Sequence, residues 1–116
     1  MATLNLMNAA VVNPLRVTYQ CTDALADVLT VAADHCNLVK KIRAANNDAA
    51  ADYSVDIVLL KSGGSARYLA KAIPVIAGAA VDIWSGALPL DEGDKIRALG
   101  STTLKIDLTI SGFDLS

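Results

Sequence analysis

The run ALPLDEGDKIRALGSTTLKIDLTIS, Ala87 to Ser111, carries the clearest local signal in the chain. Leu104, Ile106, Leu108 and Ile110 alternate with Thr103, Lys105, Asp107, Thr109 and Ser111. A period of two places the four aliphatics on one face and the polar set on the other, which is a β-strand with one dry side and one wet side. Ile96 to Leu99 reads as a shorter strand, and Gly100-Ser101-Thr102 as a turn, so the two predict a hairpin fed by the acidic turn Pro89 to Asp94. A lone hairpin is marginal in water. Full burial of the four aliphatics is worth roughly 6–12 kcal/mol as an upper bound, so the rest of the chain must supply an opposing face.

Upstream, Leu15, Val17 and Tyr19 alternate with Arg16, Thr18 and Gln20, a first strand. Asp27 to Ala33 reads as a short second strand, since it is too short and too β-branched for a stable helix. Leu38 to Ala45 is a strand with Leu38, Ile42 and Ala44 inward and Lys40 as an exception on that face. Tyr53, Val55, Ile57 and Leu59 form the dry face of the next strand; its other face turns apolar at Val58 and Leu60, which predicts a strand that is central or covered at one end. Gly63-Gly64 is a hairpin turn leading into Arg67 to Lys71. Ile73 to Gly78 is expected to be a link, because Pro74 cannot donate in a central ladder. Ala80 to Trp84 is a further strand, ending at Ser85-Gly86. The fold expected is all-β: a single antiparallel β-sandwich, immunoglobulin-like or jelly-roll-like, of seven or eight short strands over residues 15–116. Residues 1–14 are expected to be an extended N-terminal arm, and Phe113 to Ser116 a short tail. Both cysteines precede Trp84, so the Cys-Trp-Cys core of an immunoglobulin domain is absent.

Composition narrows the functional classes. With 116 residues, 53% apolar and 19% charged, the chain is long enough for one core and too apolar to be disordered. Net charge is −2, against the basic surplus of a nucleic-acid binder. The N-terminus has no basic segment ahead of an apolar one, and no apolar run reaches the ~18 residues of a membrane span; neither export nor a membrane is expected. Cys21 and Cys36 are expected to be free, small and mostly buried, with one bridge joining adjacent strand ends as the alternative. His35, the one histidine, reads as a turn residue rather than a triad or zinc ligand. Asp91, Glu92 and Asp94 around Gly93 have the oxygens a hard cation prefers but lack the calcium-loop spacing. They read as a tight turn, with Gly93 at positive φ and Asp94 capping its own backbone. Gly63-Gly64-Ser65 lacks phosphate-loop spacing. No enzyme activity and no cofactor is expected. Trp84 and Tyr68 are the bulky rings of the second half, available for a sugar or surface contact if they stand on an open face.

Four segments carry a resemblance to the small β-sandwich structural proteins of tailed bacteriophage virions. They are Lys41 to Asn46; Tyr68 to Val75 with Ala77-Gly78; Leu90 to Arg97; and Leu104 to Gly112. With the first strand these cover most of residues 15–115. The resemblance implies a non-enzymatic protein that is made in the host cytoplasm and resides in the virion. It would assemble with copies of itself and with portal, connector, tail or major capsid proteins, without nucleic acid or membrane. The neck or head–tail connection is the expected place, with capsid decoration or a tail position as alternatives, and a carbohydrate- or surface-binding module as the alternative of another class. The matched residues are scaffold, so no site transfers. From their position in the arm and tail, or their bulk, the expected partner contacts are Leu4, Leu6, Met7, Val11, Val12, Trp84, Phe113 and Leu115, with β-augmentation at an open sheet edge as a second route.

Overall fold

The computed structural model describes residues 11–116, all in strands, turns and loops. Eight strands follow in order: β1 (Val12–Gln20), β2 (Ala26–Thr30), β3 (Cys36–Asn46), β4 (Tyr53–Leu60), β5 (Ala66–Val75), β6 (Ala80–Leu90), β7 (Lys95–Gly100) and β8 (Ile106–Leu115). They form two antiparallel four-stranded sheets, β1-β8-β3-β6 and β2-β7-β4-β5. The pairs β1·β8, β2·β7, β3·β6 and β4·β5 are nested, as in one long hairpin rolled across two layers, which is the jelly-roll arrangement. The all-β sandwich expectation holds, in its jelly-roll form.

The core follows from alternation. Ile106, Leu108 and Ile110 of β8, Ile42 and Ala44 of β3, Val55 and Ile57 of β4 and Ile96 and Ala98 of β7 all turn inward and are buried. β4 is central, between β7 and β5, one of the two placements its apolar second face allows. The Gly63–Gly64 turn joins β4 to β5, with the Lys61 N–H donating to the Ser65 carbonyl at 2.8 Å.

Several expectations are corrected. β7 and β8 are not a hairpin: β7 lies in one sheet and β8 in the other, and the segment between them crosses the sandwich. Leu104 falls in that crossing with φ of 63° and is 52% exposed, so it does not extend the dry face of β8. β5 runs through Pro74, and β6 runs past Gly86 and Pro89 to Leu90. Both are edge strands, where a proline whose nitrogen faces away from the neighbour breaks no ladder bond. β1 begins at Val12, so residues 12–14 of the expected arm belong to the sheet. β8 takes in residues 113–115 of the expected tail.

Lys40 is not an inward exception. β3 carries an extra residue between Val39 and Lys41 relative to β8, while on its other side β6 carries the extra residue, between Leu88 and Ser85. This β-bulge resets the alternation, so Val39 is buried in place of Leu38 and Lys40 is exposed. Opposite Val39 stands Gly112, where a Cβ would lie 2.0 Å from the Leu38 carbonyl oxygen. The bulged backbone therefore comes close to β8 at a position only glycine can occupy.

Asp94 ties the turns at this end together. Its carboxylate, 1% exposed, accepts from Lys61 Nζ at 2.8 Å, the Ser62 N–H at 2.9 Å and the Asp91 N–H at 3.0 Å. Gly93 has φ of 83°, and a Cβ there would meet Ser62 Oγ at 2.9 Å. The predicted tight turn is thus present. Burial pushes the Asp94 carboxyl upward, but the Lys61 ammonium and the two N–H donors outweigh it and hold it below the ordinary carboxylate range. The Glu92 carboxylate accepts the Asp34 N–H at 2.7 Å, bringing the β2–β3 loop into the same cluster.

Gly112→Ala is expected to destabilise by about 3 kcal/mol or more, because a Cβ at that distance forces β3 and β8 apart. Ser111→Ala, one residue away, should stay within about 0.5 kcal/mol. Urea unfolding of the two variants beside the parent distinguishes them. Because the folded value for Asp94 lies below the unfolded one, its contribution is complete above the unfolded carboxylate value, near pH 4. It drains as pH falls through the lower folded value. Asp94→Asn should lose about 2 kcal/mol at pH 7 and show a flatter fall in stability between pH 5 and pH 2, read by urea unfolding at stepped pH.

Candidate association surface

The register of the β1-β8-β3-β6 sheet arranges its outer face in rows. Val12 pairs with Leu115, and Leu115 with Cys36. In the next row Pro14 pairs with Phe113, Phe113 with Leu38, and Leu38 with Pro89. Below them Arg16 pairs with Ser111, and Ser111 with Lys41. Side chains directly opposite in an antiparallel pair share a face. The upper end of this face is therefore apolar, and the row beneath it cationic. Val12 is 60% exposed and Phe113 43%. Val11 continues the pairing, exchanging backbone hydrogen bonds with Ser116 at 2.8 and 2.9 Å, and is exposed as well.

Of the predicted contact residues, Val11, Val12, Phe113 and Leu115 are brought together here, from opposite ends of the chain. Leu115 is only 5% exposed, so it supports this patch rather than presenting itself on it. Leu4, Leu6 and Met7 lie outside the described residues. Trp84 stands apart: it pairs with Ile42, which is wholly buried, and packs against the core from the β6 edge. Its Nε1 is buried without a hydrogen-bond partner. Tyr68 pairs with Val58 in the other sheet and is exposed, with Lys71 Nζ 4.9 Å from its ring centre. Trp84 and Tyr68 thus share no face and form no common platform for a sugar.

Pro14, Leu38, Arg16 and Lys41 are not among the residues that the sequence singles out for contact. Strict alternation puts Leu38 inward, because a bulge is invisible to a period of two. Lys41 and Arg43, two residues apart on β3, share a face, and both pair with Asp82, at 3.6 and 3.1 Å. The Arg43 hydrogen bond foremost, then the Lys41 charge, holds the Asp82 carboxyl below its ordinary value. The bulge adds Lys40 to this band as an exposed neighbour, and Arg16 extends it across β8.

Beneath the patch the end of the core is closed by polar groups. His35 Nδ1 lies 3.0 and 3.1 Å from the two oxygens of Asp114. The buried Asn37, its amide nitrogen turned to Asp114, donates at 2.7 Å to the same carboxylate and at 3.1 Å to the Cys36 carbonyl. His35 is thus a turn residue with a structural partner. Among the described residues no group of three or more His, Cys, Asp or Glu side chains could hold a metal ion. Cys21 and Cys36 are free and buried. Burial, then the Asp107 charge, pushes the Cys21 thiol up to about 12. Burial first, then Asp91 and Asp114, also raises Cys36, so neither sulfur is an activated nucleophile at neutral pH.

Each open edge of the sandwich is interrupted. The three prolines fall one each in the edge strands β1, β5 and β6, as Pro14, Pro74 and Pro89. The fourth edge strand, β2, has five residues and a register shift. Prolines, bulges and short strands are the devices that prevent edge-to-edge pairing, so strand addition is disfavoured and contact through faces is favoured.

No protein-family model matches this sequence, and no curated protein matches it. Among solved structures, a chain in "Structure of infectious bursal disease virus Gt strain" is similar with a TM-score of 0.43 and 12% identity, over 92% of this chain and 30% of that one. A likeness at this distance carries no conclusion about what the chain does.

Proposed function

We propose that this chain is a non-enzymatic structural protein of a virion, which works by associating with copies of itself and with other virion proteins. The observation that carries the reading is the outer face of the β1-β8-β3-β6 sheet. There the exposed Val12, Pro14 and Phe113 and the half-buried Leu38 form an apolar patch above a band of Arg16, Lys40 and Lys41. Apolar side chains gathered on a flat, rimmed face suit contact with another protein surface rather than enclosure of a small molecule. The jelly-roll fold is compatible with this role, but it also serves lectins and cupins, so it supports the reading only as an analogy. The sequence resemblance supports a tailed phage and, within it, the neck or head–tail connection. Capsid decoration and a tail position are the rival placements within the same class.

The test is particle composition. The chain should co-purify with density-banded virions in a fixed number of copies per particle. Density at the head–tail junction would support the neck placement; density spread over the capsid lattice or along the tail would support its rivals. Recovery only from the soluble fraction of producing cells would overturn the virion role.

A further inference from the structure

The opposite pole of the molecule carries the complement of the apolar and cationic face. The loops after β1, β3, β5 and β7 meet there. The Leu104 N–H donates to the Cys21 carbonyl at 2.8 Å, the Asn47 N–H to the Lys105 carbonyl at 2.9 Å, and the Gly78 N–H to the Asp48 carbonyl at 2.9 Å. Leu25, Ile76 and Leu104 are exposed on these loops, Ile76 to 64%. Between the end of β5 and the start of β6 opens a pocket of about 310 Å³ lined by Pro74, Val75, Ile76, Ala79, Ala80 and Val81.

Acidic residues flank this pocket. Asp52 Oδ1 accepts the Ala77 N–H at 2.8 Å, which holds its carboxylate beside the β5–β6 loop. Asp48 lies on the adjoining loop, its carboxylate accepting the Ala50 N–H at 2.8 Å and the Tyr53 hydroxyl at 3.0 Å. Lys105, 3.7 Å from Asp48, offsets part of this charge. At the other end of the sandwich, Phe113 stands beside Arg16 and Lys41, with Asp82 offsetting part of the Lys41 charge. One pole thus offers an apolar ring flanked by cations, and the other an apolar pocket flanked by carboxylates.

We propose that copies of this chain associate head to tail, Phe113 of one copy seating in the β5–β6 pocket of the next while Arg16 and Lys41 face Asp48 and Asp52. The contact rests on the reading above, that the chain works by self-association. A second copy is the occupant because a single chain carries both halves, an exposed apolar ring beside cations and an apolar pocket beside carboxylates. The two halves are different surfaces at opposite poles, so the contact is heterologous: repetition closes a ring or extends a filament rather than stopping at a two-fold dimer.

Two variants test it on the full chain. Phe113→Ala removes the ring from an exposed position, and Ala80→Phe fills the pocket from an exposed edge-strand position. Both should keep the parent's circular dichroism and cooperative melt. In sedimentation velocity over a concentration series, the parent should form species that grow with concentration. Each variant alone should associate roughly tenfold or more weakly, the loss expected on removing a central anchor. Mixed in equal amounts, the two should form a heterodimer and stop there, since the intact ring of Ala80→Phe fits the intact pocket of Phe113→Ala and no further free pair remains. A parent that stays monomeric, variants that assemble like the parent, or a mixture without heterodimer would each overturn the contact. Particle composition separates this from the virion role. A chain found in virions despite any of those results refutes the head-to-tail contact alone, and a chain that assembles as expected but is absent from virions refutes the virion role alone.

Discussion

Between Val39 and Lys41, β3 spends one residue more than β8, and the outer face at that end of the molecule depends on that insertion. Before it, Asn37 and Val39 follow the buried side; after it, Ile42 and Ala44 do. Without the insertion, Lys40 would be driven into an aliphatic interlayer, at a desolvation cost of several kcal/mol for an unpaired ammonium. With it, Lys40 reaches water, Val39 fills the core, and Leu38 moves outside to stand beside Phe113. The backbone pays for this in room, which the missing side chain of Gly112 supplies. A packing requirement inside the sandwich therefore creates an apolar patch on its outside.

The same feature marks how far the sequence could be read. Alternation reports which face a side chain takes and says nothing about the partner strand. β4 was legible from Tyr53 to Leu60, with a central place as one of two allowed, because both of its faces carry information. The pairing of β7 with β8 was misread because adjacent strands with a turn between them usually pair, whereas nested pairing sends each to a different layer. Pro74 reads as a strand breaker for a sound local reason that edge position overrides, and edge position is set by the whole topology. Leu104 continues the alternation of Ile106 to Ile110 in sequence yet takes a left-handed conformation in the crossing, where the Cys21 carbonyl receives its N–H.

The candidate surface was legible in part for a similar reason. Val11, Val12 and Phe113 stand out near the ends of the chain as apolar residues without a partner in view, and β1·β8 pairing joins the two ends. Their neighbours Pro14, Leu38, Arg16 and Lys41 come from strands read as separate, and only register sets them side by side. Trp84 was singled out by size, which does not distinguish an anchor from a core residue. Its place opposite Ile42, together with an indole N–H that finds no acceptor, marks it as packing at the sandwich edge.

What makes the patch suited to association is the support behind it. Phe113 and Leu115 lie on either side of Asp114, whose carboxylate is engaged by His35 and Asn37, and Leu115 itself is buried between Val12 and Cys36 in the register. The exposed ring is thus mounted on a strand held by ladders on both sides and by a satisfied polar cluster at the next residue. An anchor fixed before contact loses little conformational freedom on binding, and that saving favours affinity from a small area. The blocked edges act in the same direction: with strand addition disfavoured at β1, β5 and β6 by a proline in each, faces and loops are the surfaces left for a neighbouring chain. Directed face contacts between rigid units specify a defined geometry, whereas edge pairing would permit sliding in register and open-ended aggregation.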